Sequence, residues 1–560
     1  MTAAAPDFEA GPGEFLFVPL GGAHEIGMNM SLFGFDGQWL MVDCGVSFAD
    51  ESAPGVELIL PDPSFIADRR EKLAGILITH AHEDHIGAVA WLWRRLRRPI
   101  WCSPFAAAMM RRKLVEAGIE REVSVNTFPI GGGTKIGPFD IQSIPVTHSI
   151  PESQAVAIKT KLGTVLHATD WKLDPDPLVG PVTDEAALRR LGDAGVAAMT
   201  CDSTNVFVPG STGSEASVRA SLTGLFGGLK RGRIAVTCFS SNIARIESIA
   251  LAAAANGRNV ALIGRSMWSV TEAARETGYL AGVPPFVTEH DAGLLPRDNA
   301  LYIMTGSQGE PRSALARIAA EDHPEVVLDR GDTIVFSSRV IPGNEKAIGR
   351  LQNAIARLGI AIVTDDDHFV HVSGHPARDD LRRMYEMVRP RTLVPIHGET
   401  RHLYEHVRYA KEHGIADTLV AENGQVVRLL PGPAQIVGHV PVGRIAIDGT
   451  RFVPAEGEVL KMRRRMAFGG AAVATVVLDR KGRLMADPAI SVPGLIDGDT
   501  TDTETVDLAI DAVIEAIEGL KHDQINDDAA VSEAVRIAVR RSLRGSIGKR
   551  PLTQVQIVRI

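Results

Sequence analysis

The sequence predicts an α/β protein of several domains, and three observations carry that reading. From Phe15 to about Asp202, short apolar runs are broken by Gly, Pro and Asp, with few helical stretches, as in an α/β sandwich or an α+β domain. From about Ser214 to Gly374, strand-like runs alternate with helical ones, which suggests a parallel, doubly wound sheet. The last hundred or so residues read as strand, two helices and a final strand, a small α/β domain. A chain of 560 residues has room for about three or four domains of ~150 residues each.

Each element has its own signal. In the first segment FLFVP (15–19), WLMVD (39–43), GILIT (75–79), FDIQSIPV (139–146) and TVLHATD (164–170) read as strands, and Ile86 to Leu96 as a helix. In the second, RIAVTCF (233–239), NVALIG (259–264), ALYIMTG (300–306) and DTIVFSS (332–338) are the strands. Ile348, Leu351, Ile355 and Leu358 mark one face of a helix in the same segment. Residues 377–449 return to strand and helix, with TLVPIH (392–397) ending a strand at a histidine. The Gly/Pro/Glu-rich stretch TRFVPAEGEVLKM reads as a linker. Beyond it AAVATVVLD (471–479) and QVQIVRI (554–560) are strands, and Val506, Ile510, Val513, Ile517 and Leu520 share a helical face. The expected segments are therefore 1–213, 214–376, 377–449, a linker at 450–463 and 464–560.

Composition excludes several classes. Apolar residues make up 45% and charged residues 23%, so the chain is neither disordered, collagen-like nor a coiled coil. The net charge of −9 argues against non-specific duplex coating, although local fields decide binding. Cys44, Cys102, Cys201 and Cys238 show no CxxC spacing and read as reduced thiols of a cytosolic protein. Residues 1–15 lack the basic and apolar regions of a signal peptide, and no apolar run reaches the ~18 residues of a membrane span. No GxGxxG follows a strand and no GxxxxGK[ST] occurs; the GGGTK at Gly131–Lys135 reads as a turn. A dinucleotide or nucleoside triphosphate cofactor is not expected.

The chemistry is concentrated in His80-Ala81-His82-Glu83-Asp84-His85, directly after the strand GILIT. In extended chain, residues two apart point the same way, so His80 and His82 face one side. The turn after them can bring Asp84 and His85 to a second position. Imidazole and carboxylate suit Zn²⁺, which takes about four N/O/S ligands. Three further ligand-type residues sit at strand ends: His148, Asp170 and His397.

These motifs resemble the metallo-β-lactamase superfamily. Asp202 in CDSTN, His375 in HVSGH and His397 in PIHGE resemble the three additional motifs of its β-CASP nucleases. The similarity extends to residues 21–29, 147–153, 305–311 and the C-terminal domain, and within those nucleases it is to the bacterial ribonuclease J family. The resemblance implies a metallo-β-lactamase αββα sandwich, a β-CASP parallel α/β domain inserted between Asp170 and His397, and a small C-terminal α/β domain.

It also implies a ligand set. One metal takes His80, His82 and His148, the other takes Asp84, His85 and His397, and Asp170 bridges them with a hydroxide. The implied cofactor is Zn²⁺, two per chain, with Mn²⁺ or Mg²⁺ as candidate supplements. Two cations ~3.5–4 Å apart acidify a bridging water and stabilise in-line phosphoryl displacement. Against two carboxylates and a hydroxide they leave net positive charge where a phosphodiester must sit.

His375 corresponds to the β-CASP catalytic histidine, a general acid toward the leaving 3′-oxygen or, in the alternative, an orienting residue. Asp84 and Asp202 complete the expected catalytic group. Asp43 and Asp202 also read as carboxylates that fix ligand histidines or strand ends. His371, Ser373, Gly374 and His375, with Ser240, Ser241 and Asn242, are the expected substrate contacts. Two departures stand out: Ala244 precedes Arg245 where the family usually has His, and Thr169-Asp170-Trp171-Lys172 replaces Gly-Asp-Phe-Lys. The basic runs Arg94–Arg98, Arg111–Lys113 and Arg463–Arg465 are solvated faces or tracks for an RNA backbone.

The expectation is a cytoplasmic, zinc-dependent ribonuclease with 5′→3′ exonuclease and endonuclease activity on single-stranded RNA, in mRNA decay and rRNA maturation. Expected partners are single-stranded RNA, a second copy in a homodimer or homotetramer through residues 464–560, and RNA-decay complex components; no membrane is expected. The rivals are another hydrolase on the same frame (a tRNA 3′-end nuclease or an ester hydrolase) and a metal-free RNA-binding scaffold.

Overall fold

Two sheets with aromatic and β-branched inner faces form the first part of the molecule. The computed structural model describes residues 8–496 and 503–560; the signal-peptide reading of the N-terminus bears in part on residues 1–7, outside that range. One compact unit comprises residues 1–47 and 60–443, and a second 48–59 and 444–560.

In the first unit an eight-stranded sheet runs, in spatial order, through Gln435–His439, Gln425–Leu430, Phe15–Gly21, Met30–Phe35, Gln38–Val42, Leu73–Leu77, Ile100–Cys102 and Val125–Thr127. A seven-stranded sheet runs through Gly133–Ile136, Phe139–Pro145, Gln154–Thr160, Gly163–His167, Ala198–Asp202, Thr392–Ile396 and Asp417–Thr418. Phe15, Phe17, Phe33 and Val42 of the first meet Ile141, Val156, Ile158 and Val394 of the second in one buried layer, the centre of a sandwich. On the outer face of the second sheet, Leu188, Leu191, Leu381, Met384 and Tyr409 of three helices close a further core. That is the expected αββα arrangement. The strand expected from FDIQSIPV is present as Phe139–Pro145, but Gly133–Ile136 is also a strand. Only Gly131 and its neighbour form the turn read from GGGTK.

The inserted segment forms a five-stranded sheet, ordered Asn259–Ile263, Ala300–Met304, Ile234–Thr237, Thr333–Phe336 and Ala361–Val363. All its pairings are parallel, as the alternating rhythm predicts. Ile348, Leu351 and Ile355 of helix Glu345–Arg357 bury against it. The insertion begins after Ala198–Asp202 and ends before Thr392–Ile396, yet these two strands lie side by side, with Asp202 opposite Ile396. That pairing brings Asp202 and His397 to one sheet end.

In the second unit, strand Ala471–Leu478 pairs in parallel with Leu552–Arg559 and antiparallel with Ala489–Ser491. Ala509, Val513 and Ile517 of helix Thr503–Glu518 and Val531, Val535 and Val539 of helix Asp528–Ile547 cover that sheet. Val506 and Ile510 of the expected face are outside this cluster, and Ala509 takes a place in it.

The expected linker at 450–463 is not one. Arg451–Pro454 is a strand paired with Arg444–Asp448, and Glu458–Gly469 is a helix. Its Pro and Gly residues punctuate a strand–turn–helix: Gly457 is the extended N-cap, and Glu458 places negative charge in the first turn, where the helix dipole favours it. Among the described residues no helix is long and apolar enough to cross a membrane. All four cysteines are free and buried.

Candidate metal centre

Strand ends deliver every ligand-type residue to one place. The chain turns sharply after its strands at Asp43 (φ +63°), Thr169 (φ +52°) and His397 (φ +52°). Left-handed backbone at a β-branched threonine is costly and occurs where surrounding structure imposes it. Gly45 allows the His80–His85 loop to approach: a Cβ there would lie 1.7 Å from the carbonyl oxygen of Asp84.

Among the described residues three donor groups result: His80, His82 and His148; Asp84, His85, Asp170 and His397; and Asp170, Asp202, His375 and His397, which shares Asp170 and His397 with the second. In the first, His82 Nδ1 lies 3.2 Å from His80 Nε2 and 2.9 Å from His148 Nε2. Two zinc–nitrogen bonds of ~2.0–2.1 Å in a tetrahedron would separate the nitrogens by roughly 3.3 Å. The tautomers agree with this. His148 Nδ1 donates to the carbonyl of Gly374 at 2.6 Å. Thr79 Oγ1 donates to Asp43 Oδ2 at 2.9 Å and so accepts from His80 Nδ1 at 3.0 Å. Both Nε2 lone pairs therefore face the group's centre. Burial holds His80 and His148 well below the ordinary imidazole value and His82 at about 4, so all three are neutral and need shed no proton to bind a cation.

In the second group Asp170 Oδ2 lies 3.3 Å from His85 Nε2, and Asp84 Oδ2 lies 3.1 Å from His397 Nε2. Burial opposes charge on His85 and His397. The carboxylates outweigh it, Asp170 first, and raise both well above the usual value in the metal-free cluster. Burial likewise opposes ionisation of Asp84 and Asp170, and the facing histidines reverse it and lower both. An ion pair stands where a cation would replace the protons. Asp170 Oδ2 also reaches within 4.0 Å of His80 and 3.9 Å of His148, so its carboxylate faces both groups. A neutral imidazole trio beside a carboxylate–imidazole set fits two divalent cations.

Outer residues hold these donors. Asp43 Oδ2 accepts from His85 Nδ1 at 2.7 Å. Thr204 Oγ1 meets His397 Nδ1 at 2.9 Å. Asn29 Nδ2 lies 3.0 Å from His85 Nε2 and donates to the carbonyl of Asp84 at 3.1 Å. Thr79, Thr204 and Asn29 were given no role by the sequence, although each lies in or beside a quoted motif. Asp202 Oδ2 accepts from His375 Nδ1 at 2.7 Å and its Oδ1 from Thr204 N at 2.8 Å. The His375 ring stacks on His397 at 5.5 Å.

The expected substrate contacts divide. Ser373 Oγ accepts from Asn205 Nδ2 at 2.8 Å and from the His375 N–H at 3.2 Å, which leaves its own proton to donate. Gly374 is needed for packing, since a Cβ would lie 2.8 Å from His148 Cε1. Asn242 uses its Oδ1 to cap helix Ile243–Ala255, accepting from Arg245 N at 2.9 Å, and lines the cavity beside His148. Ser240 and Ser241 remain partly exposed on the turn before that cap. His371 faces Arg245, at 3.4 Å. Burial, with Arg245, Lys172 and Arg339 nearby, keeps its imidazole neutral. Arg245 itself is fully buried, paired with Glu215 at 2.6 Å and donating to Ser337 and Val370 carbonyls, a structural role. Trp171 points into the core under the seven-stranded sheet. Of the basic runs, Arg94 and Arg112 pair with Glu122 and Glu276, Lys113 with Glu83, and Arg463 with Asp448. These are surface ion pairs, and that of Arg112 reaches helix Arg265–Glu276 of the inserted segment.

This fold and donor set define a metallo-β-lactamase-type metal-dependent hydrolase. Family descriptions cover most of the chain: "Beta-lactamase superfamily domain" over residues 38–199, "Ribonuclease J, beta-CASP domain" over 231–355, "Zn-dependent metallo-hydrolase RNA specificity domain" over 359–421 and "Ribonuclease J C-terminal domain" over 458–560. The chain is 44% identical to Ribonuclease J of Sinorhizobium meliloti over 551 residues, 98% of each chain. It is 38% identical to that of Mycolicibacterium smegmatis over 99% of each, and 36% identical to that of Mycobacterium tuberculosis over 97% of this chain and 96% of the relative. A crystal structure of an Enterococcus faecalis protein of unknown function shares the fold, with a TM-score of 0.52 at 14% identity, covering 74% of this chain and all of that one. The chain belongs to the ribonuclease J family.

Proposed function

We propose that this protein is a metal-dependent ribonuclease that hydrolyses single-stranded RNA from the 5′ end and internally, with two Zn²⁺ per chain, in cytoplasmic mRNA decay and rRNA maturation. The observation that carries the reading is the pair of donor groups meeting at Asp170, with His375 and Asp202 beside them, in a chain of this family. The segments 1–213, 214–376 and 377–443 and the C-terminal part from 444 to 560 serve as its working parts.

His80, His82 and His148 would hold one cation, Asp84, His85 and His397 the other, with Asp170 facing both. When bound, the two cations supply a water of lowered pKa and positive charge for the phosphoryl oxygens. Asp43 and Thr204 orient His85 and His397 through their outer nitrogens. Asp202 fixes Nδ1 of His375 and favours its protonated form, so Nε2 is available to donate to the leaving 3′-oxygen. Degradation of 5′-labelled RNA by the purified protein, abolished by chelator and restored by Zn²⁺, is the expected result; RNA left intact at every metal concentration would overturn the reading.

Exonucleolysis should prefer a 5′-monophosphate over a 5′-triphosphate. A narrow cavity beside His148 is lined by the donors Ser149, Lys172, Asn242 and Ser373, and by Asp174 and Glu215, whose charges are paired with Lys172 at 2.8 Å and Arg245 at 2.6 Å. A monophosphate is a compact dianion that a few such donors satisfy. A triphosphate would leave charge buried and unpaired, which is costly. Two RNAs differing only at the 5′ end, assayed for mononucleotide release, test this; equal rates would show that the cavity does not read the end.

Self-association through the C-terminal segment belongs to the same reading. Leu552–Arg559 is the outer strand of its sheet, with Val558 and Ile560 exposed. An open edge of this length invites pairing with a second copy. Lysines at Gln556 and Val558 should lower the mass seen by light scattering to that of one chain. A single-chain mass for the unaltered protein would refute the assembly.

A further inference from the structure

Phe207 is an apolar ring left in water next to the metal centre. It is 48% exposed. A lone exposed apolar side chain needs no explanation, and what sets this one apart is its anchorage. Four residues of the turn before it serve the site or its frame. Asp202 holds His375, Ser203 Oγ meets His406 at 2.8 Å, Thr204 meets His397, and Asn205 donates to Ser373 and to the His375 carbonyl. Successive turn bonds, Val206 N to Ser203 O at 3.1 Å and Val208 N to Asn205 O at 2.8 Å, fix where the ring stands.

Helix Thr400–Glu412 approaches the ring from the other side. The His402 imidazole meets it at 5.3 Å between centroids, and the Arg401 guanidinium carbon lies 5.8 Å from its centre. His402 packs on Gly398, the neighbour of His397, so closely that a Cβ on Gly398 would lie 2.9 Å from the His402 Cβ. The ring is therefore tied both to the strand end that carries His397 and to the loop that carries His375.

We propose that Phe207, with Arg401 beside it, is a stacking platform for one unpaired base of the RNA strand whose backbone crosses the metal centre; this rests on the ribonuclease reading above. A base stacks through its face, so the platform is indifferent to sequence, and a base inside a duplex cannot reach it. Arg401 adds a cation for the adjoining phosphate. Its partner Glu399, 3.0 Å away, is exposed, and such surface pairs are weak enough to exchange.

The test measures the first cleavage event on the full-length protein, using single-stranded RNAs that each lack one base at a different position. In the unaltered protein one position should cost on the order of tenfold in kcat/KM, the scale of one stacked base. Phe207→Ala should cost a similar factor on intact RNA, the two losses should not add at that position, and Phe207→Trp should restore the rate. Additive losses at every position, or intact RNA cleaved equally by Phe207→Ala and the unaltered protein, would overturn the platform. If the unaltered, zinc-loaded protein cleaves no RNA, the ribonuclease reading fails and the platform with it.

Discussion

Asp84→Ala or His82→Ala abolishes RNA cleavage and leaves the fold in place. Asp84 contributes one carboxylate to the second donor group, 3.1 Å from His397 and 3.5 Å from His85. Its side chain is partly exposed on the four-residue helix Glu83–Ile86 and packs no core. What ties that loop down is its backbone: the carbonyl of Asp84 accepts from Asn29 N at 2.9 Å and from Asn29 Nδ2 at 3.1 Å, and alanine keeps that carbonyl. Removing an outer partner of a metal site costs ~10–100-fold in affinity or activity, and removing a ligand should cost more. His82 is the nitrogen on which the first group converges, so its loss empties that position. The folded state loses only the stabilisation that bound metal adds, which shows as a lower Tm in excess Zn²⁺. Cleavage assays, metal content and circular dichroism on the purified variants measure all three. Full turnover by a variant shown to lack metal would end the two-cation reading.

The next largest effect is expected at His375. His375→Ala should lower the cleavage rate by about 10²–10⁴-fold, the range for a lost general acid. The sign of its pH dependence is set by its surroundings. Burial disfavours the imidazolium, but the Asp202 carboxylate at 2.7 Å outweighs it, with Asp170 adding to the effect, and the pKa of His375 is raised. An acid must carry its proton, so the rate falls as pH rises through that raised value. Asp202→Asn removes the charge, lowers the pKa of His375 and should move the alkaline limb of the kcat profile to lower pH. Because Asp202 Oδ1 also lies 3.5 Å from His397, metal content is measured alongside. An unmoved limb in a fully metal-loaded Asp202→Asn protein would leave His375 only an orienting role.

Much of the fold was legible because its signals are local. Short continuous apolar runs at 15–19 and 75–79 became strands buried on both faces, and only 139–146 shows part of the two-residue alternation of a strand with one face inward. Regular alternation of strand and helix indicated the parallel sheet of the insertion for the same kind of reason. The segment 450–463 was misread because Pro and Gly mark a linker and a strand–turn–helix alike; only the pairing of Arg451–Pro454 with Arg444–Asp448 distinguishes them. Val506 and Ile510 were placed on a core face by periodicity, yet which helical stripe is buried depends on where the sheet lies.

The site divides along the same line. By itself the sequence determined the kind of chemistry: three histidines and an aspartate within residues 80–85, and His148, Asp170 and His397 at strand ends, are ligand types at spacings that short loops can present. Tertiary structure alone decided how they face one another. The parallel pairing of Ala198–Asp202 with Thr392–Ile396 across the whole insertion brings His397 to Asp84. Strand packing turns Asp43 onto His85, and chain reversal puts the Asn242 Oδ1 at a helix cap. Thr79, Thr204, Asn29 and Phe207 acquired their places in the same way. Hydrogen bonds and ring contacts act over a few ångströms in space, and residues far apart in the chain come within that range only when the sheets have closed.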